Sequence, residues 1–432
     1  MTDWIKRDQK AIWHPFTPLE GMDPPLMIEK AEGVYLHTED GNKIIDAISS
    51  WWVNIHGHSH PHLAQALAQQ AQKLEHVIFA GFTHQPAIEL AERLLAILPE
   101  NQDKIFFSDN GSTATEVAMK MAFQYFYNQN IEKKKIIAID GAYHGDTFGA
   151  MAVGERGPFT APFDSFLFDV AFIDFPHAPQ EAAVWQQFKH LVDQGDIAAF
   201  IFEPIVQGAS GMRVYNAKLL DRMIGYAQQH QVICIADEVM TGFGRLGTLF
   251  AADQLEHKPD IMCLSKGLSG GALPMGVTSC TAEIQSAYRS NDLMKTFFHG
   301  HSFTGNPMTC ALANASLDLL LTDECEQNRA RIEQQHREFL ATIVENPLVR
   351  KPRIMGTILA FELNTDKDTS YFNEARHHLY PYFIEKGVLL RPLGNVIYII
   401  PPYTILNKEL SYIYDIITHF LEDYPSILKS YT

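Results

Sequence analysis

Short apolar runs recur along the middle of the chain: KIFFS from Lys104, KKIIAID from Lys134, AAFIFEP from Ala198, QVICIAD from Gln231, DIMCLSK from Asp260 and MGVTSCT from Met275. Helical or loop stretches separate them, which is the pattern of a mostly parallel α/β sheet. This text ends near residue 322 and predicts a large domain over 56–322. Before it, GVYLHTEDGNKIIDAISS holds two strand-like runs about Asp40-Gly41, read as a hairpin in a small appended sheet. After it, the polar helical stretch DECEQNRARIEQQHREFLATIV leads to new sheet signals in GTILAFEL and GVLLRPLGNVIYIIPPY. Residues 323–432 are therefore expected to form a smaller α+β domain, with residues 1–55 packed on it. No internal repeat, low-complexity tract or long linker interrupts the chain, so a cleft between the parts is the natural ligand site.

A length of 432 residues suits a large domain plus a smaller one, and 46% apolar residues supply a sizeable core. The net charge of −17, from 51 acidic against 34 basic residues, would repel a phosphate backbone and argues against nucleic acid. No apolar run approaches the roughly 20 residues needed to cross a bilayer. Met1 to Lys10 lacks the apolar stretch of a signal peptide, so a cytoplasmic location is expected. The five cysteines, Cys234, Cys263, Cys280, Cys310 and Cys325, are odd in number and widely spaced, as expected of reduced core residues.

Four features of the large domain bear chemistry when read together, although each alone has an ordinary structural explanation. In FSDNGSTATEVAMKMAFQYF a strand runs into Gly111-Ser112-Thr113 and then a helix, whose free N–H groups and dipole favour a phosphate. In DGAYHGDTFGA, Tyr143 and His144 follow a strand end, where an aromatic ring can stack on a planar heteroaromatic. VICIADEVMTGFGR delivers Asp237 and Glu238 to the carboxyl end of a buried strand. A carboxylate facing a pyridine nitrogen keeps it protonated; the competing reading, an ATPase magnesium pair, needs a Gly-Lys phosphate loop, and that dipeptide is absent. PDIMCLSKGLSGGALPMG ends a short strand at Lys266, whose amine, depressed in pKa at the edge of an apolar site, can condense with an aldehyde.

The ordered set GHSHP, NGST, AYHG, FEPIVQG, ADEVMTGFGR, SKGLSGG and HGHSFTGNP resembles the class III aminotransferases of fold type I. That resemblance implies an α/β fold with a mostly parallel seven-stranded sheet, and pyridoxal 5′-phosphate as cofactor. It implies that Lys266 holds the cofactor covalently, that Asp237 pairs with the ring nitrogen and that Tyr143 stacks on the ring. Gly111, Ser112 and His144 join the cofactor site, with Glu203 nearby, able to pair with an arginine when no carboxylate is bound. Ser302 occupies the place of a phosphate-binding hydroxyl given by a neighbouring subunit, which implies a homodimer sharing its active sites.

The chain ends narrow the resemblance. IWHPFTP, the pair Trp51-Trp52 and Arg391 in LLRPLGNVIYIIPPY are similar to the branch that aminates 8-amino-7-oxononanoate in biotin synthesis. Such a ketone, with an alkyl chain and a carboxylate, wants an aromatic wall such as Trp52 and a guanidinium such as Arg391. The branch further implies Phe16, Tyr143, Asp146, Gly300, His301 and Tyr398 as substrate contacts. Phe16 stands where many S-adenosylmethionine users have Tyr, and His301 replaces a usual proline. The donor is thus S-adenosylmethionine by resemblance of Trp51, Trp52 and Tyr398, with lysine as the alternative. The rivals are another ω-amino acid aminotransferase, a decarboxylating or mutase relative, and a non-catalytic binding protein on the same fold. The alternating His56, His58, His60 and His62 lack the fixed spacing of a zinc site, and Pro61 reads as a helix start, so no metal is expected.

Overall fold

The computed structural model describes residues 3–21, 23–365, 367 and 369–430. The strands are β1 (Ile28–Glu32), β2 (Tyr35–Thr38), β3 (Lys43–Asp46), β4 (Gln102–Ser108), β5 (Lys135–Ile139), β6 (Ala171–Ile173), β7 (Ile197–Phe202) and β8 (Val206–Gln207). They continue as β9 (Arg213–Val214), β10 (Ile233–Asp237), β11 (Ile261–Leu264), β12 (Gly276–Thr281), β13 (Val349–Met355), β14 (Ile358–Leu363), β15 (Val388–Leu389) and β16 (Val396–Ile399).

Seven of them form one sheet in the order β4-β12-β11-β10-β7-β5-β6. Alternation along each strand explains why the runs are apolar throughout: in β7 and β10, Phe200, Phe202, Cys234 and Ala236 pack into one core. Ala199, Ile201, Ile233 and Ile235 pack into another, on the opposite face. Side chains of a strand alternate in direction, so a sheet covered on both faces needs apolar residues at every position. The helix Gly111–Asn128 supplies Ala114, Val117, Ala118 and Met121 to the second core.

Only β12 runs against its neighbours β11 and β4; the pairs β10–β11, β10–β7, β5–β7 and β5–β6 are parallel. Consequently β4, β5, β7, β10 and β11 all end on one edge, the edge at which open α/β sheets bind ligands.

The remaining sheets tie the two ends of the chain together. β1, β2 and β3 form an antiparallel ribbon through the turn at Asp40-Gly41, and β15 adds to β3 in parallel, Val388 opposite Ile45. β13, β14 and β16 form an antiparallel three-stranded sheet. The single sheet signal expected of GVLLRPLGNVIYIIPPY is thus divided: β15 joins the N-terminal ribbon and β16 joins β14. A short run carries no label for its partner, which is a tertiary choice. Among the described residues no helix is long and apolar enough to cross a membrane.

The turn between β13 and β14 abuts the loop between β10 and β11. Gly356 has φ +54°, and a Cβ there would stand 2.4 Å from Gly247 N, while Thr357 N donates to Arg245 O at 2.9 Å. Gly356→Ala adds a left-handed penalty of about 1–2 kcal/mol to overpacking of about 1–3 kcal/mol. Calorimetry is expected to show a lower melting temperature for Gly356→Ala than for Gly157→Ala, whose methyl group meets open space.

Candidate active site

A cavity of about 390 Å³ opens at the shared edge of the strands. Its wall takes Gly111 and Ser112 from beyond β4, Tyr143 and His144 from beyond β5, Glu203 from beyond β7, Asp237 from the end of β10 and Lys266 from beyond β11. Trp52 closes it from the N-terminal segment.

The corner at Gly111 is a helix start built to face an anion. Asn110 Oδ1 accepts from Thr113 N at 3.0 Å, and Asn110 O accepts from Ala114 N at 3.0 Å. The N–H groups of Gly111 and Ser112 stand ahead of these, at the positive end of the helix dipole. The loop Tyr143–Asp146 comes so close that a Cβ on Gly145, φ +123°, would lie 1.9 Å from Ser112 Oγ. Glycine alone permits that approach.

Deeper in, Asp237 is buried, with Oδ1 accepting from Val239 N at 3.0 Å and Oδ2 2.7 Å from His144 Nδ1. His144 is likewise buried, and its Nε2 has no partner among the described residues. Lys266 leaves the sheet at φ +43°, with its Nζ 4.8 Å over the Trp52 ring. Burial pulls the amine down to about 8, against the opposing pull of Asp237 and Glu203. Glu203, pushed up to about 6 by burial, accepts from Tyr143 N at 3.0 Å and Gly208 N at 2.9 Å. Its carboxylate therefore holds main chain rather than an arginine. Burial, with Asp146 beside it, raises the Tyr143 phenol well above its usual range, and that hydroxyl donates to Asp146 Oδ2 at 2.9 Å.

Other expected residues form an outer tier. Tyr398 accepts from Trp52 Nε1 at 3.2 Å. Arg391 stacks its guanidinium 4.8 Å from the Trp51 ring, and Phe16 packs edge-on to that ring at 5.7 Å. Gly300, His301 and Ser302 do not line the cavity within one chain; His301 Nδ1 lies 3.2 Å from Asp109. Glu238, delivered by the same strand as Asp237, turns away to accept from Ala251 N, Ala252 N and Thr241 Oγ1. Successive strand residues point to opposite faces, so one of an Asp-Glu pair must leave the site. The histidines go separate ways: His56 to Ser316, His58 to Asp46 and His62 to Asp318, while His60 caps the helix Pro61–Lys73. Sequence reasoning missed Val239, which lines the cavity and anchors Asp237; a valine two residues on carries no chemical signal.

The cavity suits a phosphorylated pyridine aldehyde. It combines an anion corner, a buried carboxylate, a desolvated amine and an orphaned buried imidazole nitrogen, each of which such a molecule would answer. The profile of the aminotransferase class-III family matches residues 18–421, and the chain belongs to this family, a pyridoxal-phosphate-dependent one. Its relatives include adenosylmethionine-8-amino-7-oxononanoate aminotransferase of Synechococcus elongatus, 46% identical, covering 95% of this chain and 98% of that protein. The enzyme of the same name from Helicobacter pylori is 36% identical, over 93% and 94%. Among solved structures, the same-named enzyme of Methanocaldococcus jannaschii superposes with a TM-score of 0.91 at 34% identity, covering 97% of this chain and 98% of that one. An omega transaminase of Pseudomonas jessenii in complex with PMP gives 0.92 at 26% identity, over 98% of each.

The neutral amine is the form that attacks an aldehyde, so a lowered pKa sets the sign of a pH effect. The rate at which cofactor-free protein takes up pyridoxal phosphate is expected to climb through pH 7 and level off above about 8. Stopped-flow absorbance across pH checks it; an unshifted lysine would give a rate still rising at pH 10.

Proposed function

We propose that this aminotransferase converts 8-amino-7-oxononanoate to 7,8-diaminononanoate in biotin synthesis, with S-adenosylmethionine as amino donor. The observation that carries the substrate reading is the two-sided wall made by consecutive indoles: Trp52 over the Lys266 amine and Trp51 under the Arg391 guanidinium. An alkyl chain ending in a carboxylate has an apolar path between those points and a cation at its end. The names of the relatives support the same reading.

In this reading Gly111 and Ser112 would hold the phosphate of the cofactor, Tyr143 would face its ring and Lys266 would receive its aldehyde. When bound, pyridoxal phosphate supplies an electrophilic aldehyde carbon and a cationic ring that withdraws electrons from the carbon losing a proton. Asp237 would keep the ring nitrogen protonated, and His144, 2.7 Å away, keeps that carboxylate oriented. Lys266 would take the proton from the donor carbon and deliver one to the acceptor carbon, which its depressed pKa suits it to do near neutral pH. Donor and acceptor take turns in one cavity, so exchange is ping-pong.

The remaining parts belong to the same proposal. Residues 56–322 form the cofactor-binding body, and residues 1–55 with 323–432 form the part that carries the acceptor wall. A second copy supplies Ser302 to the phosphate, and with it Gly300 and His301. The exposure of Phe298, Phe303, Leu293 and Met294 around that segment supports its being covered by another chain. Five buried, unpaired cysteines suit a reducing cytoplasm. Lysine is the second reading of the donor, favoured by Phe16, which brings no hydroxyl group to the outer tier.

Adding S-adenosylmethionine or lysine singly to the yellow holoenzyme decides the donor. S-adenosylmethionine is expected to bleach the aldehyde band, and the proposal fails if neither amine does. Lys266→Ala is expected to abolish turnover. Arg391→Ala is expected to raise the ketone KM about tenfold to a hundredfold, the loss of a charge-assisted pair worth about 1.5–3 kcal/mol.

A further inference from the structure

Ser49, Ser50, Trp51 and Trp52 follow one another at φ of +53°, +45°, +73° and +74°, one turn of left-handed helix. Each residue with a side chain costs about 1–2 kcal/mol in that conformation. Such a turn persists only where its surroundings over-determine it. Its anchor is Asp46, fully buried. Asp46 Oδ1 accepts from Ile48 N at 3.2 Å, and Oδ2 accepts from Ser50 Oγ at 2.7 Å, with His58 Nε2 2.9 Å from the same oxygen. Asn54 Nδ2 in turn lies 3.1 Å from His58 Nδ1, which leaves Nε2 as the ring nitrogen that donates. On its other side the turn is held by the C-terminal part and by the loop after β10: Ser49 Oγ donates to Ile400 O at 2.8 Å and Arg245 Nη2 to Trp52 O at 3.2 Å.

The hand of the turn decides where the two indoles go. Trp51 meets Arg391 and Phe16 at the outer tier, and Trp52 meets Lys266 and Tyr398 at the inner one. A right-handed turn through the same four residues would send both rings elsewhere.

We propose that Asp46 is a positioning residue of the transamination site: its carboxylate holds the left-handed turn that sets Trp52 against the Lys266 amine and Trp51 against Arg391. The ligand that these rings meet rests on the proposed substrate; the positioning itself does not.

Asp46→Ala, Ser50→Ala and Ser50→Gly holoenzymes test it, by near-ultraviolet circular dichroism of tryptophan and by calorimetric titration with 8-amino-7-oxononanoate. Asp46→Ala is expected to lose as much of the tryptophan band as Trp52→Phe does, and to bind the ketone about tenfold more weakly. Ser50→Gly, which keeps a left-handed backbone without steric cost, is expected to retain more of both signals than Ser50→Ala. Unchanged dichroism and ketone affinity in Asp46→Ala would overturn the proposal. Should Asp46→Ala not fold, the Ser50 pair decides, and equal loss in both overturns it. If the unsubstituted protein fails to bind the ketone, the substrate reading falls and the dichroism alone judges Asp46.

Discussion

Burying the Lys266 amine costs free energy, and the surrounding groups determine how much of that cost remains. Asp237 and Glu203 favour its charged form, while burial and the Arg245 guanidinium oppose it; burial wins and the amine is left poised near 8. Moving either carboxylate would disturb that balance, so the main-chain donors that fix them matter as much as the groups themselves. Val239 N pins Asp237, and the amides of Tyr143 and Gly208 pin Glu203. Lys266, Asp237, Val239, Tyr143 and Glu203 lie at or just beyond the carboxyl ends of parallel strands, where loops can crowd polar groups that a strand interior could not tolerate.

The outer tier is built differently. It comes from the N-terminal segment and the C-terminal part, joined by β15 on β3 and by the bonds from Ser49 and Trp52 to Ile400 and Tyr398. Arg245, buried in the loop between β10 and β11, reaches across to Pro401 O at 2.8 Å as well as to Trp52 O. The inner site and the outer tier thus come from different stretches of the chain, whose apolar residues share one continuous core and which polar bonds also join. Such an arrangement lets a family vary its substrates while its chemistry stays constant.

Much of the inner site was legible because its residues sit at strand ends, where a short apolar run followed by Gly-Ser, Tyr-His, Asp or Lys-Gly carries its own position. The outer tier was legible only through resemblance: nothing local in Phe16 or Arg391 says that Trp51 lies between them. Glu238 shows the opposite failure. It shares every local feature with Asp237 and is sent to a different role by the alternation of the strand and the helix start at Ala251.

The sequence by itself determined the α/β class, the order along the chain of six of the seven strands of the large sheet, and the residues Gly111, Tyr143, Asp237 and Lys266 of the cavity wall. These follow from periodicity and from residue type, both local properties. Tertiary structure alone decided that β15 leaves its neighbours for β3, that Glu203 holds main-chain amides, and that four consecutive residues bearing side chains turn left-handed beside Asp46. Each of those choices is set by partners distant in the chain, whose contacts outweigh the local preference they override.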